Sequence, residues 1–444
     1  MHRRAFIAGS AGTGVLAALG AAPAAAAAVH GGESTPKYVR SVTAITQVFG
    51  TGQKLTAVAV EYDRDIDGSK LSKSTYKVAK RTITKVYTSC KPDISAADRR
   101  GRYVIVELSP SDATAALWVT QQGSGGGAGG TPPGPGGPTV GDNTPGGTVK
   151  AAEASLIQQE PVYATNGTEY AASSTPLTTS KVVNLIVDDF RQFTYHDPAT
   201  GRTLNYNLFF PRHLDHRKSY PLVLFMHDAS VVNVATVGPL VQGLGAVCWA
   251  SPEDQARHES FVLAPEYPAV VIDDNYKPST YFDATVNLVE SLARQYPIDT
   301  SRLYATGQSM GAMMALGMNI KHPDLFAASF IVAGQWPASQ AKPLAKKNLW
   351  ITVSKGDTKA YPGENAIVAV AEKAGAEVTS ATWSGEYSQA QFAAQVKSME
   401  AHDTAINYVA FADGTVGAGG AHMGTWHVAY TIPGIRDWIM NQSL

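Results

Sequence analysis

Tyr304-Ala-Thr-Gly-Gln-Ser-Met-Gly-Ala-Met-Met-Ala-Leu316 is the stretch that decides the fold. It runs from a short β-prone segment into one rich in helix formers, with the pattern G-x-S-x-G at the change. A strand that turns sharply into a helix strains its middle residue, Ser309, and a Cβ at Gly307 or Gly311 would clash. The pattern predicts an exposed serine hydroxyl, with the Met310 N–H facing the same space. The alternative is a serine that only caps the helix.

Length and composition predict a soluble protein of two or three domains. The chain has 444 residues, of which 44% are hydrophobic and 16% are charged. Its net charge is −1 and we see no large block of one sign, which argues against a nucleic acid or an anionic membrane as the main partner. No Cys/His cluster has zinc spacing, so we expect no metal site and no cofactor.

The first 28 residues predict a signal peptide rather than part of the fold. Arg3-Arg4 is followed by a short apolar run and an alanine tract that ends near Ala28. Paired arginines favour the twin-arginine route, and the run is too short for a membrane span. We therefore expect export to the extracellular space; the alternative is a disordered leader without a targeting role.

Residues 37–188 predict an all-β domain of the immunoglobulin type. Short β-prone segments follow one another without helices, at 54–62, 81–87, 102–108, 115–120, 155–163 and 181–187. A Gly/Pro-rich tract interrupts them, and we expect a disordered insert at about 122–149 because this composition cannot bury apolar surface. The alternative places a domain boundary at the tract.

Residues 189–444 predict a largely parallel sheet covered by helices. A hairpin turning at 197–201 comes first, and apolar strands then alternate with helical segments such as 280–296 and a C-terminal helix at 429–441. In such sheets the active site lies at the carboxyl ends of the strands.

A nucleophilic serine needs a base, and the base needs an acid, in the order Ser, acid, His along this type of chain. Asp357 ends a predicted strand 357 − 309 = 48 residues after the serine, and Asp413 is the reserve acid. His422 lies in a glycine-rich segment that we expect to be a loop able to reach the serine, whereas His427 is nearer the following helix.

The oxyanion hole needs main-chain N–H groups beside the serine. Met310 supplies one, and the second is expected after the strand that ends at His227, from Ala229 or Asp228. Gln308, Trp336 and Trp426 are candidate substrate-binding residues, with core packing as the alternative for the tryptophans.

Several phrases of the second domain resemble a known family. They are Trp249-Ala-Ser-Pro-Glu-Asp-Gln-Ala256, Gly307-Gln-Ser-Met-Gly311, Gly356-Asp-Thr-Lys-Ala-Tyr-Pro-Gly363 and His422-Met-Gly-Thr-Trp426. The chain resembles secreted α/β-hydrolase esterases of the polyhydroxybutyrate-depolymerase and feruloyl-esterase-like group that carry an N-terminal immunoglobulin-like domain. The resemblance implies a Ser309–His422–Asp357 triad and hydrolysis of carboxylic esters, with an ester, including a polymeric one, as the partner. Alternatives are a serine peptidase of the prolyl-oligopeptidase type and an inert binding protein.

The two cysteines, Cys90 and Cys248, fall in different predicted domains. A disulfide would join the domains, but we favour two separate buried thiols because Cys248 lies in an apolar, helix-like segment. The sequence leaves the oligomeric state open.

Overall fold

The computed structural model describes residues 36–94, 100–120, 138–417 and 419–444. The predicted signal peptide (1–28) and most of the Gly/Pro-rich tract therefore lie outside the described residues. No helix in the described ranges combines the length and apolar character that a membrane crossing requires.

The N-terminal part is built from short strands in two main sheets. Five strands form one sheet in the order β12-β1-β2-β5-β4, and three form another in the order β11-β8-β3. The strands are β1 Val39–Phe49, β2 Gly52–Tyr62, β3 Tyr76–Val78, β4 Ile83–Ser89, β5 Tyr103–Leu108, β6 Trp118–Thr120, β7 Gly147–Val149, β8 Ser155–Gln158, β9 Val162–Tyr163, β10 Glu169–Tyr170, β11 Ser173–Thr178 and β12 Lys181–Asn184.

Strand β2 is buried on both faces, which explains its imperfect polar alternation. Val58 and Val60 belong to one apolar cluster, whereas Ala57 and Ala59 belong to another. Successive side chains of a strand point to opposite faces, so neighbours enter different cores. A strand covered on both sides needs no polar face.

The C-terminal part forms one nine-stranded sheet in the order β13-β14-β16-β15-β17-β18-β19-β21-β20. Across the sheet, every pairing from β16 through β15, β17, β18, β19 and β21 to β20 is parallel. Strands β13 and β14 form the predicted antiparallel hairpin at the other edge, and β14 pairs antiparallel with β16. The strands are β13 Phe190–His196, β14 Thr203–Phe209, β15 Tyr220–Met226, β16 Phe261–Glu266, β17 Ile298–Gln308, β18 Ala328–Val332, β19 Asn348–Ser354, β20 Val378–Trp383 and β21 Ile406–Phe411.

Helices connect these strands and pack on the sheet. They are α1 Gly238–Val241, α2 Leu244–Val247, α3 Pro252–Arg257, α4 Tyr281–Gln295, α5 Met310–Lys321, α6 Ala360–Lys373, α7 Gln389–Glu400, α8 Gly420–Ala429 and α9 Pro433–Met440. Helix α4 matches the segment predicted at 280–296. The predicted helix at 429–441 begins at Pro433 instead, because the preceding residues already form α8 and proline favours the first turn of a new helix.

Residues 138–149, named here the inter-domain arm, run along loops of the C-terminal sheet. The Gly141 N–H donates to the Val270 carbonyl at 3.0 Å, and the Gly146 N–H donates to the Ser230 carbonyl at 2.9 Å. The arm ends in β7, which pairs with β6. The disordered insert predicted at about 122–149 is therefore wrong for 138–149, because main-chain groups of the other domain provide partners that composition does not reveal.

Candidate active site

Ser309 stands alone between β17, which ends at Gln308, and α5, which begins at Met310. Its φ is 52° and its ψ is −117°, a left-handed backbone conformation that residues other than glycine rarely adopt. Such strain persists only where the surrounding structure enforces it and is concentrated at functional sites. The predicted strand-turn-helix is present, and it holds the serine at the carboxyl end of a central strand.

The two glycines of the motif allow this turn to be tight. A Cβ on Gly307 would overlap the backbone of Gly311, and a Cβ on Gly311 would overlap the carbonyl group of Met226 in β15. Only glycine lets the strand, the helix and the neighbouring strand approach this closely. The steric reason inferred from the motif matches the structure.

Ser309, His422 and Asp357 lie in one hydrogen-bonded row. The His422 Nε2 is 2.9 Å from the Ser309 Oγ, and the His422 Nδ1 is 2.5 Å from the Asp357 Oδ2. In this arrangement the imidazole can accept the hydroxyl proton while the carboxylate holds its other nitrogen. The structure brings together the three residues proposed from the sequence.

Asp357 is buried just beyond β19 and is fixed by more than the histidine. Its Oδ1 also accepts the main-chain N–H groups of Lys359 and Ala360, at 3.1 and 2.9 Å, where α6 begins. Burial alone raises the pKa of Asp357, but hydrogen bonding and the charge of His422, together with these N–H groups, lower the pKa below its ordinary value. The carboxyl group is therefore an anion at neutral pH.

His422 lies in the first turn of α8, so the expectation of a loop is wrong at this position. Two glycines with left-handed backbone, Gly419 and Gly420, lead into the helix and provide the turn that was interpreted as a loop. The Trp426 ring, one helical turn later, packs edge-on against the imidazole with centroids 5.0 Å apart. This contact holds the imidazole while leaving the His422 side chain 42% exposed.

The reserve residues Asp413 and His427 are not part of the Ser309–His422–Asp357 row. Asp413 is exposed after β21. His427 is near the end of α8, and its ring centroid lies 6.2 Å from that of Trp426.

The proposed oxyanion donors come from the starts of two helical turns. Met310 is the first residue of α5, and Ala229 is the first residue of a 3-10 turn, Ala229–Val231. First-turn N–H groups have no acceptor within their own helix. Both groups are therefore suited to bind an anionic oxygen.

A buried histidine orients the peptide group before Ala229. The His227 Nε2 accepts the Tyr267 N–H at 3.0 Å, so the proton is on Nδ1, which donates to the Asp228 carbonyl at 2.7 Å. Burial lowers the pKa of His227 and keeps the ring neutral. In a trans peptide the N–H points opposite to the carbonyl, so the Ala229 N–H points away from His227. Sequence reasoning missed this role, although His227 stood at the end of the predicted strand.

The Asp228 carboxylate links this loop to the turn that carries Ser309. It accepts the Ser230 N–H at 2.9 Å and the Gln308 Nε2 at 2.8 Å. Gln308 is buried, and its amide also donates to the Gln242 Oε1 at 3.2 Å. Gln308 therefore positions the two loops, and its prediction as a substrate-binding residue is not supported by this geometry.

The tryptophans proposed as pocket residues are packed side chains. Trp336 is buried, donates from Nε1 to the Gln340 Oε1 at 3.1 Å and contacts the Tyr276 ring. Trp426 is buried beside His422. Both tryptophans therefore fit the alternative of core packing that the sequence left open.

The two cysteines are free thiols. Cys248 is buried, as expected, and burial raises the pKa of its thiol to about 12. Cys90 is exposed just after β4, so the expectation of a buried thiol is wrong there.

Comparison with known proteins identifies relatives of both parts of the chain. Residues 41–171 match the esterase Ig-like N-terminal domain, and residues 271–354 match the prolyl oligopeptidase family. Acetylxylan esterase A of Emericella nidulans is 33% identical over 97 residues, which is 18% of this chain and 32% of that protein. The putative esterase NocK of Nocardia uniformis is 38% identical over 65 residues, 15% of this chain and 19% of that protein. This chain thus spans a third or less of the length of the curated relatives it matches.

A solved structure resembles nearly the whole chain. The crystal structure of a thermostable esterase aligns with a TM-score of 0.76 and 26% identity, and the match covers 91% of this chain and 100% of that one. The predicted fold, an α/β hydrolase preceded by an immunoglobulin-like sandwich, is confirmed. The predicted resemblance to esterases with such an N-terminal domain is confirmed as well.

Proposed function

We propose that this protein is an exported serine carboxylesterase. The observation that carries the proposal is the row of Ser309, His422 and Asp357, with 2.9 and 2.5 Å between successive partners. A hydroxyl linked in this way to a neutral imidazole is activated as a nucleophile. The esterase relatives favour an ester as the group attacked.

In the proposed mechanism His422 accepts the Ser309 proton as the Oγ attacks the ester carbonyl. The N–H groups of Met310 and Ala229 stabilise the oxyanion, and each such donor contributes about 10²–10³ in rate. His422 then protonates the leaving alcohol, which yields an acyl-enzyme. Water, activated by the same imidazole, hydrolyses the acyl-enzyme, and Asp357 stabilises the imidazolium in both halves of the cycle.

Substitution of the nucleophile tests the proposal. Ser309→Ala should abolish turnover of p-nitrophenyl acetate and labelling by a fluorophosphonate probe, while circular dichroism stays unchanged. Turnover at the wild-type rate in this variant would contradict the assignment of the site.

We further propose acetyl groups on a polysaccharide as the natural ester. Some curated relatives are named acetylxylan esterases, and the 42% exposed imidazole leaves room for a bulky alcohol at the site. Acetate release from acetylated xylan, compared with feruloyl esters and polyesters, measures this preference. A preference for either of the other two substrate classes would contradict it.

A peptidase is the second candidate, because residues 271–354 match the prolyl oligopeptidase family. The two activities share a triad but differ in the leaving group. If kcat/KM for a peptide p-nitroanilide exceeded that for p-nitrophenyl acetate, the peptidase would be the better description.

A further inference from the structure

The N-terminal domain contains a basic run that the net charge of the chain conceals. Between Asp67 and Asp93 the sequence has only basic charged residues, namely Lys70, Lys73, Lys77, Lys80, Arg81, Lys85 and Lys91. The expectation of no large block of one sign is therefore wrong for this segment, because acidic residues elsewhere in the chain balance its charge. A local excess of one sign attracts ligands of the opposite charge even when the whole molecule is nearly neutral.

Part of this run lines an open groove of about 580 Å³. The groove lies where β3, the outer strand of one sheet, leads to β4, the outer strand of the other. Its lining residues are Lys73, Ser74, Tyr76, Lys77, Val78, Lys80, Arg81, Thr82, Ile83 and Gln159. A groove at the open edge of a sandwich can admit an extended chain without a rearrangement of either sheet.

Three lysines of the groove form no ion pair with any acidic residue that the structure describes. Lys73, Lys77 and Lys80 are exposed, and none of them forms an ion pair with another described residue. Arg81 differs, because its guanidinium is buried and paired with Asp112. Nearby, the Glu160 carboxylate accepts hydroxyl groups of Ser72 and Thr75. The groove therefore presents three solvated cations, with the Glu160 carboxylate at its edge beside Ser74.

The backbone at one end of the groove is strained. Lys80, in the turn between β3 and β4, has a φ of 57°, in the left-handed region. A lysine there costs more than a glycine or an asparagine would, and residues held in this way are concentrated at ligand-binding sites and turns. Lysines also protect edge strands against aggregation, but that role requires neither a groove nor this conformation.

We propose that this groove binds an anionic polysaccharide whose carboxylates pair with Lys73, Lys77 and Lys80. The other lining side chains decide the class of polyanion. Tyr76 and Val78 are buried, so the groove offers neither a stacking ring for single-stranded nucleic acid nor an apolar wedge for a membrane. Ser74, Thr82 and Gln159 instead supply neutral hydrogen-bonding groups suited to sugar hydroxyls. The proposal does not depend on the esterase activity.

The test uses the full-length protein and polygalacturonate as the probe. Lys73→Gln/Lys77→Gln/Lys80→Gln should bind polygalacturonate at least tenfold more weakly than the wild type in co-sedimentation or calorimetry. The matched control, Lys342→Gln/Lys346→Gln/Lys397→Gln, removes the same charge from exposed positions of the hydrolase domain and should bind like the wild type. Neither variant should change the turnover of p-nitrophenyl acetate, and wild-type binding should weaken steeply as salt rises to about 200 mM.

Three results would overturn the proposal. One is the absence of polygalacturonate binding by the wild type. Another is an equal loss of affinity in both triple variants, which would show that binding depends on net charge and not on the groove. The third is tighter binding to single-stranded DNA or to phosphatidylserine vesicles than to polygalacturonate.

Discussion

The Asp357 side chain determines which nitrogen of His422 carries the proton. It holds the hydrogen on Nδ1, so Nε2 faces the Ser309 hydroxyl as an acceptor. Asp357→Asn presents an amide that favours the wrong tautomer, and we expect kcat for p-nitrophenyl acetate to fall by the order of 10⁴. Asp413→Asn, which alters the exposed reserve residue, should be close to the wild type. An equal loss in both variants would contradict the role given to Asp357.

Glu266, the last residue of β16, should make stability depend on pH. Burial raises the pKa of this carboxyl from 4.5 to about 7, and its Oε1 has no hydrogen-bond partner within the described ranges. The folded chain thus keeps a proton that the unfolded chain loses near pH 4.5. By linkage, the contribution of Glu266 to the free energy of unfolding is fully present below about pH 4.5, and it is lost as the pH rises through about 7.

Glu266→Gln should remove this dependence, since a neutral amide does not titrate. Relative to the wild type, we expect the variant to be similar in stability at pH 4.5 and more stable by roughly 2–3 kcal/mol at pH 8. Urea unfolding at both pH values measures the difference, and Glu386→Gln, at an exposed position, is the control. A pH-independent difference between wild type and variant would show that Glu266 is already ionised in the folded protein.

Among the structural elements, the inter-domain arm contacts the loop that carries the proposed oxyanion donor Ala229. The Asn233 Nδ2 donates to the Asn143 carbonyl at 3.0 Å, and Asn233 itself has a left-handed φ of 57°. Asn233→Gly tolerates the left-handed φ but removes the Nδ2 donor to Asn143. We therefore expect kcat to fall severalfold with little change in KM or stability. Asn233→Ala should also cost about 1 kcal/mol of stability from the strained backbone.

Asn143→Ser supplies the control, because it leaves the accepting carbonyl in place. Its kinetics should match the wild type. If Asn233→Gly were also fully active, the arm would contact the loop without positioning it.

How far the sequence predicts these elements depends on where their partners lie. The turn at Ser309 and the acid at Asp357 follow from local motifs and strand order, so both could be proposed from sequence. The hydrogen bonds of the arm, that between His227 and Tyr267, and those of Gln308 depend on residues far apart in the chain that show no periodic pattern. Helix α8 was missed because the glycines before it and within it are more typical of a loop.

At the scale of the whole molecule, Trp118 joins the two halves. It belongs to β6 of the sandwich, yet its buried side chain is part of the apolar cluster formed by the C-terminal sheet. We propose domain limits of 37–188 and 189–444, with this residue crossing between them. One cooperative unfolding transition is therefore expected for the wild type.

Trp118→Ala should destabilise the protein by about 3–5 kcal/mol and separate the unfolding of the halves into two calorimetric transitions. Trp118→Phe retains most of the contact and should preserve one transition. An alanine variant with an unchanged Tm and a single transition would mean that other contacts couple the halves.

The arm also has a consequence for the order of events during synthesis. Residues 138–149 leave the ribosome before Ser230, Asn233 and Val270, the groups that they later bind. During synthesis the arm can pair with β6 through β7, but its hydrogen bonds to the C-terminal loops can form only after Val270 has been added. Catalytic activity should therefore appear late in synthesis, once the C-terminal half has folded against the inter-domain arm.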